Sequence, residues 1–223
     1  SVIGAIDNTN GSITGTFASH SANDTDVALL TAVDATLTVS GGGDTDFAGV
    51  TASGAVVLNS SGAGNLTAVA LNVDGSSASL KVDASSMTGT ASIVASATSV
   101  ATTISGGAGA DTITGGSSTD SITAGAGADT IVTGAGDSTV AGGAGADTIT
   151  GNSGDDVITG GDGADSITAG AGFDSINGGG GNDTIILAAN MSVSDSIDGG
   201  AGTDTMTAVL SSTASSQRVG TIS

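Results

Sequence analysis

Residues 106–186 read GGAGADTIT, GGSSTDSIT, AGAGADTIV, TGAGDSTVA, GGAGADTIT, GNSGDDVIT, GGDGADSIT, AGAGFDSIN and GGGGNDTII. These are nine units of nine residues with no insertion or deletion between them. Every unit has an aliphatic residue at its eighth place, and eight of the nine have aspartate at the sixth, the exception being Ser138. Self-similarity at a fixed short period indicates a repeat architecture in which each unit stacks on its neighbours.

Each unit divides into a turn and a short strand. Glycine is frequent in the first four places, where a tight turn needs the positive φ that glycine adopts at little cost. The last three residues, such as Thr112-Ile113-Thr114, alternate as they do in a strand whose central side chain points inward. Two units make a coil of 18 residues, so each unit is expected to stack on the next but one. The pattern predicts a parallel β-roll around a narrow aliphatic core.

Stacking of the turns predicts metal sites. It brings backbone carbonyls and the sixth-place carboxylates of successive coils around common points, and calcium binds six to eight such oxygens at about 2.3–2.6 Å. One side of the roll carries Asp111, Asp129, Asp147, Asp165 and Asp183, and the other carries Asp120, Ser138, Asp156 and Asp174. We expect tighter sites on the first side, because its row of aspartates is unbroken. Asp137, one place before Ser138, is expected to substitute for the missing carboxylate in part.

Two other interpretations of the repeat remain open. One is a flexible glycine-rich linker with scattered acids, which the strict spacing of nine aliphatic residues disfavours. The other is a β-solenoid whose aspartates serve only solubility. It is disfavoured because stacked carboxylates repel one another unless a cation lies between them.

The flanking residues are also rich in strand signals. Short β-branched or alternating runs occur at 35–39, 55–58, 66–73, 79–82, 91–94 and 99–104, separated by Gly, Asn, Asp and Ser. Residues 26–33 carry a weak helical pattern. The turns at 23–26 and 41–47 are acidic, and each is either a further calcium site or a solvated loop.

The sequence therefore predicts an all-β chain in three parts. Residues 1–104 form a β-rich, solenoid-like segment, and residues 105–207 form the roll. Residues 208–223 are a tail or the start of a further segment. Three extra residues at 187–189 interrupt the register, after which Asp195 and Asp204 again occupy sixth places.

Composition excludes several functions. All 22 acidic residues are aspartate, and the formal net charge is −20. Such acidity excludes nucleic acid as a direct partner and disfavours an anionic membrane surface, and no apolar run approaches the roughly 18 residues of a membrane span. The single histidine, His20, stands between two serines in what resembles a surface turn. Since no nucleophile, base and acid are seen to converge, we do not expect an enzyme.

The repeat is similar to the G-G-x-G-x-D-x-U-x nonapeptide of RTX proteins, which forms a calcium-binding parallel β-helix. The segments VDASSMTG (82–89), ASIV (91–94) and TISGG (103–107) resemble the strands that lead into RTX blocks in bacterial surface-layer (S-layer) proteins. This resemblance implies a right-handed β-roll and type I secretion. It also implies calcium-dependent self-assembly into a lattice on the bacterial cell surface. Attachment to surface polysaccharide or lipopolysaccharide would use parts outside this chain. The alternative is a calcium-folded RTX module of a secreted protease or lipase, or of an adhesin.

The resemblance also implies the calcium ligands, which are the sixth-place aspartates with the turn carbonyls of the first and third places. The aspartates are Asp111, Asp120, Asp129, Asp147, Asp156, Asp165, Asp174, Asp183, Asp195 and Asp204, with Asp137 added. The carbonyls are those of Gly106, Ala108, Gly115, Ser117, Ala124, Ala126, Gly142, Ala144, Gly160, Asp162, Gly178, Gly180, Gly199 and Ala201. Five residues depart from the expected glycines, and their turns are expected to be distorted: Ala124, Thr133, Ala169, Asn152 and Ser118.

Overall fold

The computed structural model of the chain describes residues 2–3, 6–8, 11–19, 25–27, 30–68, 71–75, 78–187 and 195–208. These residues form 25 β-strands in three sheets, and every strand pair is parallel. Within them no helix is long and apolar enough to cross a membrane. The prediction of an all-β parallel solenoid is confirmed.

The three sheets differ in size, and the strands of each are given in the order in which they lie side by side. The first sheet contains β1 (Val2–Ile3), β4 (Thr25–Val27), β7 (Thr45–Phe47), β10 (Leu66–Ala68), β13 (Ala91–Val94), β15 (Thr112–Thr114), β17 (Thr130–Val132), β19 (Thr148–Thr150), β21 (Ser166–Thr168), β23 (Thr184–Leu187) and β25 (Thr205–Ala208). The second sheet contains β11 (Leu71–Val73), β8 (Val50–Ala52), β5 (Leu30–Ala32) and β2 (Ile6–Asn8). The third sheet contains β24 (Ser196–Ala201), β22 (Ser175–Gly180), β20 (Val157–Asp162), β18 (Thr139–Ala144), β16 (Asp120–Ala126), β14 (Thr102–Ser105), β12 (Leu80–Met87), β9 (Val56–Gly62), β6 (Ala35–Gly41) and β3 (Ile13–Ser19).

The repeat forms coils of two strands, one in the first sheet and one in the third. Thr112 pairs with Thr130, and Thr130 pairs with Thr148, so the predicted offset of 18 residues is confirmed. Across the insertion the offset grows, because Thr184 pairs with Thr205. The three extra residues therefore lengthen one coil without breaking either sheet.

The N-terminal residues form coils of three strands, and the second sheet is their third face. They belong to the same solenoid as the repeat, because β12 pairs with β14 and β13 pairs with β15. The run predicted at 66–73 forms two strands, β10 and β11, rather than one. The helix predicted at 26–33 is wrong, since β4 and β5 occupy all of its described residues except Val33. Parallel pairing with neighbouring coils satisfies the backbone there, which outweighs a weak local preference.

A loop closes the second sheet where the coil changes from three strands to two. The backbone N–H of Ser99 donates to the carbonyl of Val73 at 3.3 Å, and the Thr98 hydroxyl donates to the carbonyl of Leu71 at 3.0 Å. Both carbonyls belong to β11, the last strand of that sheet. Residues 95–101 therefore cover a sheet edge that would otherwise present unpaired carbonyls.

The core is a continuous column. In the repeat it consists of the nine eighth-place residues, each at most 2% exposed: Ile113, Ile122, Ile131, Val140, Ile149, Ile158, Ile167, Ile176 and Ile185. In the N-terminal coils it is built from larger side chains, including the fully buried Phe47, Leu37 and Leu58. Each coil contacts chiefly its two neighbours, which is the one-dimensional packing of a solenoid.

Candidate metal centre

The sixth-place residues of the repeat form two interior rows, one on each side of the roll. From Asp111 to Asp183 they are at most 3% exposed, including Ser138. Such burial is rare for unpaired aspartates. The strands place them there because the sixth place precedes a strand whose seventh residue points outward and whose eighth points into the core. The two rows are therefore lines of carboxylates enclosed by the turns.

One oxygen of each carboxylate has a fixed backbone partner. Asp129 Oδ1 accepts a hydrogen bond of 2.7 Å from the N–H of Asp111, its counterpart in the preceding coil. The same contact, between 2.8 and 3.1 Å, is made by Asp147, Asp165, Asp183 and Asp204 in the first row, and by Asp156, Asp174 and Asp195 in the second. This oxygen therefore ties successive coils together and fixes the direction of the carboxylate.

The other oxygen has no hydrogen-bond partner in five of these residues: Asp129 Oδ2, Asp147 Oδ2, Asp156 Oδ2, Asp165 Oδ2 and Asp183 Oδ2. A buried carboxylate oxygen without a donor is costly unless a cation compensates it. Four of the five belong to the first row, and one belongs to the second. Across the described residues no three His, Cys, Asp or Glu side chains converge, so a cation here would depend on carboxylates supplemented by backbone carbonyls.

A backbone carbonyl lies close to each of these oxygens in the later coils of the first row. A Cβ placed on Gly142 would stand 2.5 Å from Asp147 Oδ2 and 2.6 Å from the carbonyl of Gly160. These two oxygens are therefore at most about 5 Å apart, a separation that one calcium with ligands at about 2.3–2.6 Å can bridge. A Cβ placed on Gly160 or on Gly178 would likewise lie between the Oδ2 atom of the aspartate in its own unit and the first-place carbonyl of the next coil. The first-place carbonyls of Gly160, Gly178 and Gly199 thus face the first row.

The third-place carbonyls have another contact. Those of Ala144, Asp162, Gly180 and Ala201 accept backbone N–H groups from the preceding coil at 2.6–2.7 Å. The donors are the fourth-place glycines, such as Gly127, which donates to Ala144. Each of these carbonyls keeps one lone pair for a further ligand.

Burial raises the pKa of most carboxylates in both rows. It raises the pKa of Asp129 to about 6, and the charges of Asp111 and Asp147 add to the shift. It raises the pKa of Asp156 to about 7, with smaller contributions from Asp174, Asp137 and Asp155. The pKa values of Asp111, Asp120, Asp147, Asp165 and Asp174 are raised as well, with burial as the main cause. Desolvated acids that repel one another favour a cation between them.

The first turn of each row has a different conformation. Asp111 Oδ2 accepts a hydrogen bond of 2.7 Å from Gly107 N, and Asp120 Oδ2 accepts one of 2.7 Å from Gly116 N. In the turns from residue 124 to 181, and again at Gly200 and Gly202, the second and fourth places have positive φ, including Asn152 at 60°. Gly107 and Gly116 do not. The predicted carbonyls of Gly106, Ala108, Gly115 and Ser117 therefore belong to turns whose carboxylates are already satisfied by the protein.

Several residues predicted from the sequence lie outside the interior rows. Asp137 is exposed, and its Oδ1 accepts a hydrogen bond of 2.8 Å from Asp155 N on the outer surface. It does not take the interior position of Ser138. In the turn at 41–47, Asp44 is only partly buried and accepts from Asn65 N at 2.8 Å, and Thr45 and Phe47 are the buried residues. His20 and part of the turn at 23–26 lie outside the described residues.

The comparison with protein families agrees with this geometry. A family model of the RTX calcium-binding nonapeptide repeat matches residues 97–131, 124–158, 132–167, 159–189 and 194–208. No curated protein matches the chain. The chain thus carries RTX repeats, whose cofactor is calcium. Such repeats are typical of secreted proteins and imply an extracellular location.

Proposed function

We propose that this chain is a structural segment of a bacterial surface layer, which calcium folds and then allows to assemble into a lattice. The observation that carries the proposal is the continuity of the solenoid. The first and third sheets pass from the N-terminal coils into the RTX coils without interruption. The chain is therefore one extended body in which the RTX repeats are part of the building element itself.

The position of the S-layer-like segments supports the same proposal. Residues 82–89, 91–94 and 103–107 cover parts of β12, β13 and β14 and the start of the first repeat turn. These strands join the three-strand coils to the two-strand coils. A segment that couples a non-repetitive scaffold to a calcium-dependent roll suits a subunit that must become rigid only after export.

Calcium supplies the positive charge that the two rows lack. At low calcium, a net charge of −20 and buried oxygens without donors oppose folding. At the millimolar calcium found outside cells, binding to the folded state adds directly to its stability. The chain's own contribution is to hold each carboxylate by an Oδ1 contact, such as Asp147 N to Asp165 Oδ1 at 2.8 Å, with Oδ2 left free for the ion.

Sedimentation velocity in chelator and then in millimolar calcium tests the proposal. Slow, expanded particles in chelator and large assemblies in calcium are expected. A compact monomer in calcium would contradict the lattice and would favour an RTX module of a secreted enzyme or adhesin. The same sedimentation in both solutions would contradict calcium-driven folding as well.

A further inference from the structure

The turn at 133–138 differs from every other turn of the repeat at two places at once. Its first place is Thr133 and its sixth place is Ser138. The sixth place of all eight other units is aspartate. Both side chains are buried, Thr133 at 0% and Ser138 at 2% exposed. Both substitutions therefore lie in the interior on the side of the second row.

The two hydroxyls bond to the backbone of the turns. The Thr133 hydroxyl donates to the carbonyl of Gly151, the first-place residue of the next coil on that side. The Ser138 hydroxyl donates to the carbonyl of Gly136 at 3.2 Å. In the first row, the first-place carbonyls of Gly160, Gly178 and Gly199 face carboxylate oxygens instead. At Gly151 a protein hydroxyl takes the role that a cation would have at those carbonyls.

The carboxylate on the preceding coil of this row is also satisfied. Asp120 Oδ2 accepts from Gly116 N at 2.7 Å, and its Oδ1 accepts from the Thr102 hydroxyl at 2.7 Å. The buried oxygen without a partner in this row is that of Asp156, on the following coil. The gaps on either side of Ser138 therefore lack the paired free carboxylates that the first row presents.

We infer that the turn at 133–138 is a metal-independent turn, in which the Thr133 hydroxyl replaces calcium and divides the second row. Calcium on this side is confined to the coils after Ser138, beginning with the gap between Asp156 and Asp174. The first row, with four free carboxylate oxygens, binds calcium from Asp129 to Asp183. One face of the roll thus binds several calcium ions. On the opposite face, the turn at 133–138 keeps its conformation without calcium.

Counting bound calcium in the full chain, by equilibrium dialysis with elemental analysis, tests this inference. The double variant Thr133→Gly with Ser138→Asp restores the sequence of the other turns, and one additional calcium per chain is expected. Thr133→Val with Ser138→Ala removes both hydroxyls with little change of shape. It is expected to keep the calcium count of the parent and to lower the urea midpoint of unfolding in calcium. Asp156→Asn is the positive control and is expected to lose one calcium.

Thr98→Val is the matched control for loss of a buried hydroxyl, because Thr98 is 0% exposed and donates to a backbone carbonyl outside the two rows. It is expected to lower the urea midpoint without changing the calcium count. A lower count in Thr133→Val with Ser138→Ala would show that the native turn binds the ion and would overturn the inference. A folded Thr133→Gly, Ser138→Asp variant with no additional calcium would overturn it too. If that variant does not fold, the calcium count of Thr133→Val with Ser138→Ala alone tests the inference.

Discussion

Replacing Asp165 with asparagine should have opposite effects on the protein with and without calcium. Asp165 is 2% exposed, its Oδ1 accepts from Asp147 N at 2.8 Å, and its Oδ2 has no partner. The amide oxygen of asparagine can keep the first contact. The amide nitrogen would stand where Oδ2 stands, at most about 5 Å from the carbonyl of Gly178, and it carries no negative charge. The variant thus removes a calcium ligand and an unpaired buried charge in the same step.

The size of both effects follows from the geometry. Without calcium, relief of an unsatisfied buried carboxylate should stabilise the fold by about 1–3 kcal/mol. With calcium at about a hundred times its dissociation constant, loss of one site costs about 2.7 kcal/mol. Asp165 borders two gaps, one toward Asp147 and one toward Asp183. Loss of both sites would therefore cost about 5 kcal/mol.

Far-UV circular dichroism is the suitable assay, because the chain has no tryptophan or tyrosine for fluorescence. The calcium concentration at the midpoint of folding should rise in Asp165→Asn, while its strand signal in chelator should equal or exceed that of the parent. Asp162→Asn is the matched control, since it removes the same charge from an exposed third-place residue nearby. Equal calcium midpoints for the two variants would refute the assignment of Asp165 to an interior ion site.

Two further predictions concern pH and backbone conformation. Burial raises the pKa of Asp129 to about 6 and that of Asp156 to about 7. At pH values between the ordinary aspartate pKa of 3.8 and these raised values, the calcium-free folded chain therefore binds more protons than the unfolded chain. The stability of the calcium-free fold must therefore fall as the pH rises through that range. In chelator, the circular dichroism signal of the strands should be larger in mildly acidic than in neutral solution. A signal that does not depend on pH would contradict this prediction. Asn152 has φ of 60°, so Asn152→Ala should lower the unfolding free energy in calcium by about 1 kcal/mol. Asn152→Gly should change it by a few tenths at most, and equal urea midpoints for the two variants would show that the turn is not held in that conformation.

The sequence alone was sufficient for the repeat and its stacking. An aliphatic residue at every ninth position requires an inward-facing strand residue in each unit, and two units per coil give the observed offset between Thr112 and Thr130. The interior rows of aspartates follow from the same period. The N-terminal coils were harder to predict, because their spacing varies: Thr45 pairs with Leu66, and Leu66 pairs with Ala91. Without a fixed period, a three-strand coil cannot be distinguished from separate strands.

Only the tertiary structure decides which aspartates have an Oδ2 atom without a hydrogen-bond partner. Residues 106–114 and 142–150 have the same sequence, GGAGADTIT. In the first copy Asp111 Oδ2 accepts from Gly107 N, and in the second Asp147 Oδ2 has no partner while Gly143 and Gly145 have positive φ. The difference lies in the coil beneath each turn. The first copy rests on a non-repeat turn at Gly89, and the second rests on the repeat turn at Gly125 and Gly127. Because parallel coils hydrogen-bond across the turns, each turn adopts the conformation that its neighbour can pair with, and nine identical residues acquire two different environments for the same carboxylate.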